Sequence, residues 1–289
     1  MSLSSQRKAM VITGCSSGFG RVTALHMAKL GWHVFATVRK EADQASLVAE
    51  AATRGCKDHL TPLICDITIS EQVGTLVQTV GASVPSASRL DALLNNAGTG
   101  YGAPMELLTL DDLRAQLEIN IIAHVAVTQA LLPLLKTGRG TIINVSSLSG
   151  RVALPGLGAY AASKFALEAI SDAWRVELAP FGVQVVVIEP GFYATSIFQT
   201  SKDRDRTRLE PYRGGKYERL FAGLDTFFDR GVARAHSPQE FAETVEKILT
   251  SRRPQTRYIL PRIYTWPVLV QQFLPDRLWD RLVRLKLKW

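Results

Sequence analysis

Ala9-Met10-Val11-Ile12-Thr13-Gly14-Cys15-Ser16-Ser17-Gly18-Phe19-Gly20 is a short apolar run that breaks into a glycine-rich turn, and a helix-forming stretch, RVTALHMAKLG, follows it as far as Gly31. Glycines permit a tight turn and let the backbone approach a pyrophosphate, while the first turn of a helix offers free N–H groups and a positive dipole to the anion. Gly14, Ser16, Ser17, Gly18, Phe19 and Gly20 are therefore the candidate dinucleotide loop. Such a turn carries weight because it joins the first strand to the first helix. The same letters from Gly14 to Gly18 also satisfy the G-x-S-x-G form of a hydrolase elbow, with Ser16 as nucleophile and His236 with Asp225 or Asp229 downstream. A hydrolase elbow normally follows several strands, so this serine-hydrolase reading is the minor alternative.

Outward from the loop, apolar runs alternate with helix-period segments. The runs are Ala9 to Thr13, His33 to Val38, Leu60 to Cys65, Leu90 to Leu94, Thr141 to Val145, Val183 to Ile188 and Arg257 to Leu260. Runs such as VQVVVI are apolar without alternation, as strands covered on both faces are. The expected fold is α/β: a doubly wound, mainly parallel seven-stranded sheet with helices on both faces and its ligand crevice at the carboxyl ends of the strands. At 289 residues a single domain, 1–289, is expected. Two segments depart from the rhythm. Residues 192–236, with the charged run SKDRDRTRLEP, suit a mobile lid over the crevice. Residues 262–289 form an amphipathic extension in which Trp266, Leu269, Phe273, Leu274, Leu278, Leu282 and Leu285 interleave with Arg277, Arg281, Arg284, Lys286 and Lys288. Packing over the substrate entrance or a partner subunit is the first reading of that extension, and peripheral membrane contact the second.

Composition narrows the function classes. No run of about 18 uninterrupted apolar residues occurs and the amino end lacks a signal-peptide pattern, so a cytoplasmic protein, with membrane association through the tail as the variant, is expected. Three cysteines without paired spacing exclude a disulfide framework or zinc site, and no metal is expected. The formal charge of +8 fits a solvated basic surface or a phosphorylated cofactor, and no nucleic-acid partner is expected. After the second strand the chain has Val38-Arg39, where a carboxylate would bind a free ribose hydroxyl. A guanidinium at Arg39, with Ser16 or Ser17 as donors, suits a 2′-phosphate, so NADP(H) is favoured over NAD(H). A solvated strand-end arginine is the bland alternative.

The chemistry is carried by Tyr160-Ala161-Ala162-Ser163-Lys164. Four residues apart on a helix, Tyr160 and Lys164 share a face, and the ammonium is expected to lower the phenol pKa toward the working range. A phenol so placed gives a proton to a carbonyl oxygen, or takes it back. Ser147, at the end of TIINVSS beside Ser146, is a strand-end hydroxyl able to polarise the same oxygen.

Taken together, Thr13, Gly14, Gly18 and Gly20 (T-G-x-x-x-G-x-G), Asn95-Asn96-Ala97-Gly98 (N-N-A-G), and Ser147, Tyr160 and Lys164 resemble the classical short-chain dehydrogenase/reductase family over most of residues 9 to 261. The resemblance implies a Rossmann-type fold, and Asn120 in LEINIIAHV as a fourth catalytic member holding a water that connects to Lys164. It further implies adenine contacts from Asp66 and Ile67, Asn95, Ala97 and Gly98 beside the adenosine, Tyr160 and Lys164 near the nicotinamide ribose, and a Pro190-Gly191 turn followed by Thr195 at the carboxamide. A helix cap at Asp66 and a turn hydroxyl at Thr195 remain open alternatives. The Cys-Ser-Ser-Gly loop and long carboxyl end are most similar to the 17β-hydroxysteroid and retinol dehydrogenase branch. That branch implies a lipophilic, steroid-, retinoid- or lipid-like substrate, with Leu154, Leu157, Phe192, Tyr193, Ile197 and Phe198 as candidate pocket residues or core. A homodimer or homotetramer through the helices of Asn120 and Tyr160 is implied too, one face of which the tail could block. The expected function is interconversion of an alcohol and its ketone or aldehyde, and the competing class is a non-catalytic NADP(H)-sensing protein.

Overall fold

The computed structural model describes residues 7–83 and 89–289. Seven strands, β1 (Ala9–Ile12), β2 (His33–Val38), β3 (Leu60–Ile64), β4 (Ala92–Asn95), β5 (Thr141–Val145), β6 (Gln184–Pro190) and β7 (Arg257–Leu260), form one sheet in the order β3-β2-β1-β4-β5-β6-β7. Every pairing is parallel. The helices are α1 (Gly18–Lys29), α2 (Glu41–Thr53), α3 (Ser70–Ser83), α4 (Leu110–Leu117), α5 (Ala123–Gly138), α6 (Gly158–Glu177), α7 (Ser196–Leu209), α8 (Glu218–Ala233), α9 (Pro238–Thr250), α10 (Thr265–Phe273) and α11 (Asp276–Leu287).

Side-chain alternation divides the core into two layers. Met10 and Ile12 of β1 with Val34 and Ala36 of β2 pack on α1, α2 and α9 through Leu25, Leu47 and Phe241. Val11 and Phe35, on the opposite face, meet α3 and α5 through Leu76, Val127 and Leu131. Coverage on both faces is why the strands are apolar without alternation. The chain winds outward in one direction from β1 to β3 and in the other from β4 to β7, so β1 and β4 flank the point where strand order reverses, and ligands of such sheets bind at that crevice. Leu110–Gly138 is apolar enough in length and composition to cross a membrane, although it contains no uninterrupted apolar run; here Val127, Leu131 and Leu135 of α5 are buried in the core.

The segment 192–236, expected as a lid, carries two helices, α7 and α8, joined by a short helical turn at Glu210–Tyr212. The carboxyl extension is the helix pair α10 and α11. Val283 and Leu287 of α11 pack on Leu220 and Leu224 of α8, so one stripe of the tail belongs to a small core of its own.

Candidate active site

Thr13 and Asn96 build the glycine loop into one piece with the end of β4. The Thr13 hydroxyl accepts from the backbone N–H groups of Asn96 (2.9 Å) and Ala97 (3.0 Å), and the Asn96 amide donates to the carbonyls of Thr13 (2.8 Å) and Gly14 (3.1 Å). The loop needs its glycines. Gly14 has φ +72° and a Cβ there would stand 2.8 Å from Ala97 Cα; a Cβ on Gly20 would strike the Gly14 carbonyl oxygen. Gly18, at φ +57°, lies against Thr195, whose Cβ and Cγ2 would be 3.3 Å from an added Cβ. This bare backbone at the amino end of α1 is a cradle that fits a pyrophosphate. Ser16 and Ser17 are exposed on its rim.

Phe19 turns its side chain away from the loop. Its ring stacks on Phe241 of α9 at 4.2 Å and meets Tyr193 edge-on at 5.2 Å, so the side chain fastens α1 to α9 and only its backbone faces the loop. Asn95 turns its side chain inward too: it is fully buried, and its amide donates to Thr128 (2.9 Å) and Asn144 (2.9 Å), tying β4 to α5 and β5 beneath the crevice. That leaves only the Asn95 backbone, at the carboxyl end of β4, to face the crevice. Asp66 accepts from the Thr68 N–H (3.0 Å) and hydroxyl (2.7 Å), closing a turn ahead of α3 and capping no helix, and Ile67 is buried beside it. Arg39 is exposed directly after β2. Arg21 was not singled out by sequence: it pairs with Glu50 (2.7 Å) and reaches the Ser16 carbonyl at 3.4 Å, bracing the loop from α1.

Ser147, Tyr160, Lys164 and Asn120 converge where β5 ends. Ser147 leaves the strand in extended conformation and accepts from the Ser149 N–H (3.1 Å), and its side chain is hydrogen-bonded to that of Tyr160. Lys164 is buried on α6 and donates to the Val145 carbonyl at 2.8 Å. Burial pulls its ammonium down to about 8, with the Glu168 carboxylate opposing. Burial also holds the Tyr160 phenol above its ordinary value, the Ser147 hydrogen bond opposing. The expected lowering of that phenol by Lys164 is thus reversed, because desolvation of the phenolate outweighs a partner whose nitrogen lies 5.7 Å from the ring centre.

Asn120 lies in a single π-helical turn, Glu118–Ile122, between α4 and α5, the kind of helix interruption that is frequent at functional sites. It is fully buried; its side-chain oxygen accepts from the Thr99 N–H (3.0 Å), and its amide donates to the Thr99 carbonyl (3.0 Å) and the Ser163 hydroxyl (3.0 Å). A Cβ on Gly98 would lie 3.4 Å from Asn120 Oδ1 and 4.0 Å from Lys164 Nζ, so Gly98 sits on the catalytic side. Ala97 carries its carbonyl to His124 at 2.6 Å. At the end of β6, Pro190 is buried, and Gly191 donates its N–H to Leu260 at 2.7 Å while Tyr264 crowds its Cα. Asn96, Thr99 and His124 escaped sequence reasoning as site residues. Asn96 stood in the N-N-A-G motif and could have been found; Thr99 and His124 carry no local signal.

Among the candidate pocket residues, Tyr193 is core, its hydroxyl donating to Glu240 at 2.9 Å. Phe192 packs edge-on against Phe227 of α8 at 5.6 Å, and Leu154 joins the α8–α11 cluster. Leu157 is half-buried at the entry to α6. The side chains of Ile197 and Phe198 lie outside the described residues. His236, needed by a hydrolase, instead pairs with Glu240 (3.5 Å) and stands beside the Tyr193 ring.

Comparison with known proteins gives the site its context. Residues 8–206 match the family model described as short chain dehydrogenase. Mouse retinol dehydrogenase 5 is 37% identical over 86% of this chain and 78% of its own. The NADPH-dependent 3-dehydrocapnine reductase of Ornithobacterium rhinotracheale is 32% identical over 96% of both chains. A crystal structure of a short chain dehydrogenase/reductase from Burkholderia phymatum in complex with NAD superposes with a TM-score of 0.77 at 23% identity, over 92% of this chain and 93% of that one. The glycine cradle at the strand-order reversal, the Ser147–Tyr160 hydrogen bond with Lys164 one turn on, and these matches have one reading: the chain belongs to the short chain dehydrogenase family of nicotinamide-dependent oxidoreductases.

Proposed function

We propose that the protein interconverts a lipophilic alcohol and its ketone or aldehyde with NADP(H), using Ser147, Tyr160, Lys164 and Asn120. The observation that carries this reading is the Ser147–Tyr160 hydrogen bond at the mouth of β5, with the bare glycine backbone of the α1 loop at the same end of the sheet. When bound, the dinucleotide supplies or accepts the hydride. Ser147 Oγ and the Tyr160 hydroxyl hold the substrate oxygen, Ser147 steadying negative charge there while Tyr160 gives or takes the proton. Lys164 keeps a positive charge beside the phenol, and Asn120, fixed by Thr99 and Ser163, keeps the π-helical turn open for a water leading to Lys164. Gly14, Gly18 and Gly20 give the pyrophosphate room, Ser16 and Ser17 rim it, and Thr195 closes on Gly18. Asp66, Ile67, Ala97 and Gly98 border the adenosine and ribose, and Pro190 and Gly191 shape the nicotinamide end.

Arg39, exposed at the end of β2 with no carboxylate in its place, supports NADP(H), as does the relative named for NADPH. A lipophilic substrate is supported by the retinol dehydrogenase relative and by Leu154, Leu157 and Phe192 along the α8 side. Exposed Ile122, Phe165 and Val176 on the α5 and α6 side suit a homodimer or homotetramer contact. In Tyr160→Phe, turnover of lipophilic alcohols and ketones is expected to fall by about a thousandfold, within the range of lost general-acid catalysis, with dinucleotide affinity kept. Full activity would overturn the role of Tyr160. Tighter binding of NAD(H) than NADP(H) would overturn that of Arg39, and dinucleotide binding without turnover across ketones, aldehydes and quinones would favour the sensing alternative.

A further inference from the structure

Nine of the twenty exposed large apolar side chains among the described residues lie between Ile263 and Trp289, far more than that short stretch would hold if they were scattered singly. They are ordered. In α10, a helix without a charged residue, Trp266, Leu269, Val270 and Phe273 recur at i, i+3, i+4 and i+7 and form one solvent-facing stripe, with Trp266 75% and Phe273 85% exposed. In α11 there are two stripes. Trp279, Val283 and Leu287 pack on α8, whereas Leu278, Leu282 and Leu285 run along an adjacent face and stay open, Leu285 at 76%.

Charge borders the open stripe on both sides. Arg277, Arg281 and Arg284 share one helix face next to it, all exposed, Lys286 stands on the other side, and Lys288 follows at the helix end. The acidic residues of α11, Asp276 and Asp280, fall instead in line with Val283 and Leu287, toward α8. A second copy of this chain would answer the apolar stripe but not the charge: a two-fold contact brings the same patch onto itself and sets the arginine row against its like. A surface that is apolar in its interior and anionic at its boundary answers both.

We propose that the open stripes of α10 and α11 seat the protein on an anionic lipid bilayer, lying in the interface with Trp266, Phe273, Leu282 and Leu285 inserted and the arginine row against the headgroups. The extension then serves two surfaces at once, since α11 holds the lid helix α8 with one stripe and the bilayer with the other. This docking is independent of the reaction proposed above.

The test uses the full-length protein and needs no turnover. Co-sedimentation is measured with phosphatidylcholine vesicles and with vesicles containing about one-third phosphatidylserine. Binding to the anionic vesicles that weakens with salt, with a blue shift of tryptophan emission, is expected. Arg277→Gln/Arg281→Gln/Arg284→Gln should weaken it about a hundredfold, each cation near an anionic surface contributing about fivefold. Trp266→Ser/Phe273→Ser should abolish insertion while leaving the thermal midpoint unchanged, because both side chains are exposed. Protein that stays in solution with anionic vesicles at low salt overturns the proposal. So does binding indifferent to these substitutions, or a stable dimer that the Trp266/Phe273 variant converts to monomers.

Discussion

Lys164 is held at a cost. Its ammonium is buried on α6 with the Val145 carbonyl as its hydrogen-bond partner, and burial lowers it from 10.5 to about 8. A cation whose folded pKa lies below its unfolded one penalises folding in full at neutral pH, and the penalty fades as pH rises from about 8 toward 10.5. The shift corresponds to at most about 3 kcal/mol, from which the lost hydrogen bond and any packing defect must be subtracted. Lys164→Met is therefore expected to lose turnover yet gain about 1–2 kcal/mol at pH 7, a trade of activity for stability common at strained sites. Denaturant midpoints of both proteins at pH 7 and pH 10 check this: the advantage of the variant should shrink at the higher pH, and a variant less stable at pH 7 would show that the charge is well accommodated. Glu168, one turn beyond Lys164 and almost fully buried, opposes the loss of charge, which leaves the ammonium mostly protonated at neutral pH.

At the scale of elements, the segment from Thr99 to Gly102 is gripped from two sides. Asn120 and Gln116 hold Thr99 and Tyr101 from the α4 side, and α7 holds the other side through Arg204 to the Thr99 hydroxyl (3.2 Å), Asp205 to the Gly102 N–H (2.8 Å) and Arg208 to the Gly102 carbonyl (2.9 Å). Arg208 also pairs with Asp112 of α4, and Arg204 stacks on Tyr101 at 3.7 Å. Helix α7 and Asn120 thus share one short stretch of backbone. Asp205→Ala removes the central carboxylate, freeing Gly102 and unbalancing Arg208, and is expected to raise KM several-fold with a smaller loss in kcat. An unchanged KM would detach α7 from the substrate step. These contacts explain what the sequence could not convey. The run SKDRDRTRLEP was legible as something other than a sheet unit, but its partners stand about a hundred residues away, beyond any local pattern. The glycine loop and the Tyr160–Lys164 spacing were legible because one strand-turn-helix and one helical turn fix their geometry. The side-chain directions of Phe19 and Asn95 were not legible, because a motif gives a residue's position along the chain and not the side to which its side chain turns; Phe241 and Asn144, distant in sequence, decide that.

For the whole molecule, the pH dependence of stability on the acid side has an identifiable source in His124. The ring is fully buried on α5; Nε2 faces the Ala97 carbonyl at 2.6 Å, Nδ1 has no hydrogen-bond partner, and the site of Lys164 lies close enough to add repulsion. Burial and that ammonium lower its pKa from 6.5 to about 3, so the folded chain keeps the imidazole neutral with Nε2 donating. The unfolded chain protonates it below 6.5. Stability from this group is therefore fully present above pH 6.5 and is lost progressively as pH falls toward 3, by about 2 kcal/mol at pH 5. That is a sizeable part of the 5–15 kcal/mol typical of a folded protein (roughly, for any domain), and it acts where β4, α5 and α6 meet, so the loss should be felt as global unfolding rather than local fraying. His124→Gln keeps an amide able to donate to Ala97 and removes the titration. Its urea midpoint should be lower than the wild type's at pH 7 and fall less between pH 7 and pH 5; parallel losses in the two proteins would place the acid sensitivity in the carboxylates paired with Arg21, Arg151 and Arg257 instead.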